Sequence, residues 1–250
     1  MVRMNIHIVY AHPHRASFNA ALRDEAVGTL EGLGHTVTVS DLYAMNWKAV
    51  ADFDDFGPTE NEHFMAATAE AWEKGTLASD IKAEQERLLA ADAVILQFPL
   101  WWFTVPAIMK GWMDRVFTHG FGYGSSRTWK RYGDGVLAGK RAMIVVTTGA
   151  ADAHLSDRGV NGDINDLLFP IQHGVLFYTG MQVLPPTVIT GAGWQSDYAD
   201  TVKQLKERLE TLAETEPIAY RRQTDDYDEH KRLKPGLEPE GTTGFALHTA

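Results

Sequence analysis

The chain has 250 residues, 44% of them hydrophobic and 22% charged, with no cysteine and a formal net charge of −10 from 23 basic and 33 acidic side chains. That length suits one large domain or one domain with an appendage, and the missing thiols exclude disulfide scaffolds, thiolate zinc sites, iron–sulfur clusters and cysteine nucleophiles. The acidic balance repels phosphate backbones and anionic membranes, so nucleic acid is not an expected partner. No apolar run approaches the roughly 18 residues of a membrane helix, and Met1–Ala11 lacks the pattern of a signal peptide. A cytoplasmic protein without membrane insertion is expected, and any redox chemistry it performs needs a bound cofactor.

Taken in order, the apolar runs alternate between two periods. Asn5–Ala11 is β-branched and apolar, and predicts a first strand. In Ser17–Leu33 the residues Phe18, Leu22, Ala26, Leu30 and Leu33 share one helical face, and Gly34 is placed to end that helix. Thr36–Val39 predicts a second strand. A long connection, Leu42–Asp80, follows, with a turn-rich part at Asp52–Asn61 and a helix around Phe64–Lys74. The amphipathic Ile81–Ala91 leads into a third strand, Ala93–Phe98, and then a helix over Pro106–Phe117, where Pro106 suits the first turn. Ala142–Thr147 predicts a fourth strand, Asp163–Tyr178 a helical stretch and Gln182–Ile189 a fifth strand. A last helix carries Tyr198, Val202, Leu205, Leu209 and Leu212.

Strands separated by helices require crossover connections. The expectation is an α/β fold, a doubly wound five-stranded parallel sheet with helices on both faces, spanning residues 1–216. From Pro217 to Ala250 the chain is polar, carries both signs of charge and contains Pro217, Pro235 and Pro239. It reads either as an arm over the domain or a partner subunit, or as a disordered tail.

Ligands of an open parallel sheet bind outside the carboxyl ends of its strands. After the first strand comes Ala11-His12-Pro13-His14-Arg15-Ala16-Ser17-Phe18-Asn19, entering a helix whose free amides form an anion site; Ser17 and Asn19 also read as ordinary capping residues. Neither a Gly-x-Gly-x-x-Gly nor a Walker glycine loop is present. After the third strand, Pro99-Leu100-Trp101-Trp102-Phe103 is held extended between prolines and offers flat apolar surface and backbone amides to a planar ligand, or else packs under the next helix or into an oligomer interface. After the fourth, Thr147-Thr148-Gly149 permits close approach of a polar edge. Together the three loops describe a flavin nucleotide pocket. Asp41 reads as a turn or cap residue, and the His12/His14 pair lies in a proline-bearing loop that does not suit a metal. Gly120–Ser126 is either a mobile wall over a substrate or a surface loop.

These segments, with Ser40–Asn46, Ala83-Glu84-Gln85, Gln97-Phe98, Val105–Ile108, Lys110-Gly111-Trp112 and Pro170-Ile171-Gln172, resemble the NAD(P)H:quinone oxidoreductase (DT-diaphorase) family from about Asn5 to Pro217. The resemblance implies a flavodoxin-like fold, bound FAD in preference to FMN, a homodimer with sites at its interface, and two-electron ping-pong hydride transfer from NAD(P)H to a quinone or similar planar electrophile. It implies that His12, Ser17, Phe18 and Asn19 hold the FAD diphosphate region, that Pro99, Leu100, Trp101, Trp102 and Phe103 hold the isoalloxazine, and that Thr147, Thr148 and Gly149 complete that site. Tyr123 and Tyr178 match aromatic positions of the substrate pocket, and Trp194 stands where the family has a pocket histidine. A Tyr/His pair that stabilises charge on the reduced cofactor is replaced by Leu155 and Asn161, leaving His154, or backbone amides alone, for that role. The same fold also hosts nitro- and azoreductases, and regulatory flavoproteins bound to a membrane transporter.

Overall fold

The computed structural model describes residues 3–124, 126, 129–194 and 196–250. Met1 and Val2 of the N-terminal stretch and Ser125 of the glycine-rich loop lie outside the described residues. The first strand, β1 (Asn5–Tyr10), is buried from its second residue onward, which suits a strand with neighbours on both sides. It pairs in parallel with β2 (Thr36–Asp41) and with β3 (Ala93–Pro99), and β3 pairs with β4 (Arg141–Thr147). The order is β2-β1-β3-β4-β5.

Side chains alternate between the two faces with a period of two. Val94, Leu96, Phe98, Ala142, Ile144 and Val146 enter one core; Ala93, Ile95, Met143 and Val145 enter the other. Two helices cover the second face, α1 (Phe18–Gly32) and a C-terminal α6 (Tyr198–Glu210), through Leu22, Ala26, Leu30, Leu205 and Leu209. Ser17 caps α1 by accepting from the Ala20 amide at 3.1 Å, and Gly34 ends it at φ +88°, a backbone region that costs glycine no strain.

The predicted fifth strand is one edge ladder in two pieces, so the sheet counts six strands: β5 (Gln182–Val183) and β6 (Thr187–Ile189) both pair with β4. Pro185 and Pro186 lie between them and have no N–H to give. The expected helix over Asp163–Tyr178 is also divided, into α5 (Ile164–Ile171) and a π-helical turn, Gln172–Phe177. Pro170 cannot donate within α5, and the widened turn directly follows it.

The other face is covered by α3 (Ser79–Ala90), α4 (Ala107–Val116), α5 and the long connection, which contains α2 (Phe64–Lys74). The connection is held by charge. Arg115 of α4 and Asp55 are both 2% exposed, and the guanidinium donates to Asp55 at 2.9 and 3.0 Å and to Asp80 at 2.8 Å, with Trp47 beneath it at 4.6 Å. Burial works against the Arg115 charge, but the bonds to Asp55 and Asp80 outweigh it and raise the pKa. Nearby, Glu84 of α3 is fully buried and accepts from Trp112 at 2.7 Å and Ser40 at 2.8 Å, with His7 at 3.7 Å. Burial pushes this carboxyl up; the His7 ring beside it and the hydrogen bonds it accepts from Trp112 and Ser40 prevail and hold it below the ordinary value.

Residues 217–250 fold back on the domain. Ile218 donates to Val183 at 2.8 Å, and the last residue, Ala250, donates to Ala219 at 2.7 Å. Arg221 is 6% exposed, with its guanidinium on the carbonyls of Leu247 and Leu237 at 3.0 and 2.7 Å.

One close approach in this packing is directly testable. A Cβ at Gly111 of α4 would lie 1.9 Å from the Ala49 carbonyl oxygen. Gly111→Ala therefore forces α4 away from the connection and is expected to cost about 2 to 3 kcal/mol, read as a lower denaturation midpoint and faster proteolysis within 42–80.

Candidate active site

Three loops leave the carboxyl edge of the sheet side by side. In the first, the β1–α1 loop, the His12 ring approaches Trp101 at 6.2 Å, and burial, only partly offset by the His14 backbone contact, lowers its pKa, favouring the neutral ring at pH 7. Phe18 packs edge-on against Tyr198 of α6 at 5.9 Å, so what it presents to the loop edge is its amide. Among the described residues no acceptor meets the Phe18 and Asn19 amides, and the dipole of a 15-residue helix stands behind them.

Asn19 has a different job from its neighbours. It is 5% exposed, its side-chain amide donates to the Thr147 hydroxyl at 2.6 Å, and its carbonyl accepts from Gln97 at 2.8 Å. This fastens the start of α1 to the ends of β3 and β4. Thr147 and Gln97 fall on the same strand face as Met143 and Ile95, the face that α1 covers, so the period of two is the signal that foretells the contact. Asn19 Oδ1 and Gln97 Oε1 are buried there without a partner among the described residues.

The second loop is tighter than an extended segment. Trp101 and Thr104 exchange hydrogen bonds at 3.0 and 3.1 Å, and between them Trp102 (φ 50°) and Phe103 (φ 63°) both adopt the left-handed conformation. That geometry ordinarily calls for Asn or Gly, and two aromatic residues there store strain. Trp102 is 93% exposed. The expected supply of free amides is narrower than the sequence suggests: Leu100 donates to Thr147 at 2.8 Å and Trp101 to Thr104, leaving those of Trp102 and Phe103. Pro99 is buried as the last residue of β3.

In the third loop, Thr147 turns to Asn19, Thr148 accepts from the Ala150 amide at 3.1 Å, and the Gly149 carbonyl accepts from the Trp194 indole at 3.0 Å. Trp194 therefore roofs the Thr148–Gly149 turn, apart from the two tyrosines with which it was grouped. His154 lies exposed on a short 3₁₀ turn, Asp152–Leu155, while Leu155 is buried.

Tyr123 and Tyr178 do come together. Both line an open cavity of about 930 Å³ that begins at Thr104 and Val105, directly after the aromatic turn. Its walls include residues the sequence reading missed: Met65, Met113, Phe117 and Val175, with Ala49–Ala51 of the long connection. The Tyr123 hydroxyl donates to Met65 Sδ at 3.1 Å, and burial raises its pKa. Lys110, a cation at the rim, is paired with Asp114 at 2.6 Å.

Residues 4–213 match the model of a family with the flavodoxin-like fold. A ribosyldihydronicotinamide dehydrogenase-like protein of Penicillium crustosum is 44% identical over 98% of this chain and 96% of its own. The chain belongs to this flavodoxin-like family of quinone-type oxidoreductases. Within the family, the rat NAD(P)H dehydrogenase [quinone] 1 is 41% identical over 85% of this chain and 79% of its own. A crystal structure described as that of a candidate quinone reductase from Klebsiella pneumoniae superposes with a TM-score of 0.93 at 50% identity, covering 99% of this chain and 100% of that one. Among the described residues, no helix is long and apolar enough to cross a membrane.

The Asn19–Thr147 bond predicts a measurable cost within the family frame. Thr147→Val keeps the shape but strands the Asn19 amide, and is expected to lose about 2 kcal/mol in equilibrium unfolding.

Proposed function

We propose that this chain is a flavin-dependent NAD(P)H:quinone oxidoreductase that binds FAD in preference to FMN. The observation that carries the reading is the strained Trp102–Phe103 turn, held between the open amides of α1 on one side and the Tyr123–Tyr178 cavity on the other. Held by the Phe18 and Asn19 amides and by the Trp101–Phe103 turn, a bound flavin would supply two-electron transfer from NAD(P)H to a quinone. The residues present fit such a group: amides at a helix start for phosphate, an aromatic turn with two uncommitted amides for a planar ring, and a glycine turn under an indole.

The protein's part is to bind, orient and exclude water. Trp101, Trp102 and Phe103 supply the flat apolar surface, Asn19 and Thr147 keep the two flanking loops in register, and Thr148 and Gly149 bring backbone close to the ring edge. Tyr123 and Tyr178 bound the place where donor and acceptor alternate. His154, exposed on the next turn, or backbone amides of that loop stabilise the negative charge that builds up on reduction. FAD over FMN is favoured by a second cavity of about 550 Å³ beyond the Gly149 loop, lined by Ile189, Gly191, Asp197 and Gln204, which has room for an adenosine half. Exposed Trp102, Val50 and Met65 around the open cavity favour a homodimer with its sites at the interface.

A second reading concerns the donor. A human relative, 42% identical over 87% of this chain and 96% of its own, is named ribosyldihydronicotinamide dehydrogenase [quinone]. Lys110, already paired with Asp114, is the cation lining the cavity among the described residues, which suits a dihydronicotinamide riboside that brings no diphosphate.

The test is the absorption spectrum of the purified protein, identification of the released cofactor, and turnover of 2-methyl-1,4-naphthoquinone with NADH, NADPH and dihydronicotinamide riboside in parallel. A flavin spectrum, released FAD and quinone reduction are expected; a colourless protein that neither FAD nor FMN reconstitutes overturns the reading. Faster turnover with the riboside selects the second donor. In the same assays Trp102→Gly is expected to bind flavin at least about tenfold more weakly while unfolding within about 1 kcal/mol of the parent, because relief of left-handed strain offsets the entropy that glycine adds. Unchanged rates of flavin reduction and reoxidation in His154→Ala would leave the charge to the backbone amides.

A further inference from the structure

The helical segment that ends at Tyr178 has two working faces. Pro170, Ile171, Gly174, Val175 and Tyr178 line the cavity. On the other side, Phe169, His173 and Phe177, spaced four apart, carry the C-terminal arm. Phe245 of the arm stacks on Phe169 with centroids 4.2 Å apart and planes 11° apart; Phe169 stacks in turn on His173 at 4.6 Å. His173 meets Tyr220 of the arm at 5.1 Å and His248 at 5.6 Å, and meets Tyr132 at 4.9 Å. Tyr132 then packs edge-on against Tyr178 at 5.0 Å. Burial, with a smaller contribution from His248, lowers the His173 pKa to about 4, so this stack is uncharged at neutral pH.

A second line of contacts reaches the same tyrosine. Tyr132 and Gly133 donate their amides to the carbonyls of Tyr178 and Phe177 at 3.0 and 2.9 Å. The arm grips this segment from outside: Arg222 forms an ion pair with Asp134 and donates to the Gly133 carbonyl at 3.3 Å, and Thr224 donates to Asp134 at 3.1 Å. The arm is itself a closed plate. The Arg221 guanidinium holds two of its carbonyls, Tyr220 and Thr249 pair in antiparallel fashion, and the Tyr227 hydroxyl meets His248 Nδ1 at 2.7 Å.

We propose that residues 217–250 are a positioning element of the active site: by seating Phe245 on Phe169 and gripping Asp134, the arm sets where Tyr178 stands and so how the cavity fits its planar substrate. This rests on the quinone-reducing reading of the cavity. Among the described residues, the ring contact of Phe245 is with Phe169, and neither of the two lines the cavity. Its effect is therefore on fit rather than on chemistry, and falls on KM and on ligand dissociation more than on kcat.

The test compares the parent with Phe245→Ala, Phe245→Tyr and Thr224→Val as flavin-loaded full-length proteins. Each is measured for KM and kcat with 2-methyl-1,4-naphthoquinone, for flavin content, and for dissociation of that quinone by quenching of tryptophan fluorescence. Phe245→Ala is expected to raise KM and the dissociation constant about fivefold or more, with kcat within about twofold and flavin content unchanged. Phe245→Tyr, which keeps the stacked ring, is expected to restore both. Thr224→Val is expected to shift them in the same direction by loosening the other grip, so the proposal stays testable if Phe245→Ala does not fold. A lower melting temperature with unchanged KM and dissociation constant would make the arm a mere cover and overturn the proposal. A parent protein that binds the naphthoquinone but does not reduce it would sink the oxidoreductase reading, while the dissociation constants would still decide the role of the arm.

Discussion

Two opposite charges buried together decide where the longest connection of the chain lies. Arg115 and Asp55 are nearly inaccessible to water, and each would be costly there alone. Because each is stabilised beside the other, with Lys48 and Asp80 as further partners, the polar stretch around Asp52–Asp55 is drawn onto α4, and Ala49 is pressed against Gly111 until backbone meets backbone. The cavity wall follows from that contact. The pair does not act alone: Lys48 also meets Asp55 at 3.0 Å, and Leu42, Trp47, Phe56, Ala67, Ala71 and Leu77 of the connection are buried in the same core.

Rigidity and strain are divided between the loops of the carboxyl edge. The Asn19–Thr147–Gln97 group is buried and ties the start of α1 to the ends of β3 and β4 by two hydrogen bonds, so the loops it joins have a fixed spacing. The Trp102–Phe103 turn does the reverse. It holds two bulky residues in a backbone conformation they disfavour and leaves their amides and rings outward. Strain of this kind persists where the surroundings over-determine it, and here the Trp101–Thr104 pair and Pro106 close the turn from both sides.

Much of this was legible in the residues because it depends on local period and on strand direction. The face of α1 was readable from Leu22, Ala26 and Leu30, and the three loops followed once the strands were known to be parallel, since every carboxyl end then lies on one edge. The cavity was hidden for the opposite reason. Its walls come from the connection, α4, the glycine-rich loop and the π-helical turn, which are distant in sequence and brought together by the Arg115 pair and by the register shift after Pro170. The arm was legible only as one of two readings. A polar segment with three prolines has no apolar period, and what closes it, Arg221 on the carbonyls of Leu237 and Leu247, leaves no local pattern.

The break at Pro185-Pro186 carries a consequence for self-association. An exposed edge strand is a template on which another chain can add by main-chain hydrogen bonding. Here the outermost ladder is only two and three residues long in its two parts, is interrupted by residues without an N–H, and has the Val183 carbonyl already taken by Ile218 and the Pro185 carbonyl by Arg208. This margin of the sheet is closed to further strands. Growth by strand addition on that side, the route toward fibrous aggregates, is blocked by the same two prolines that split the ladder.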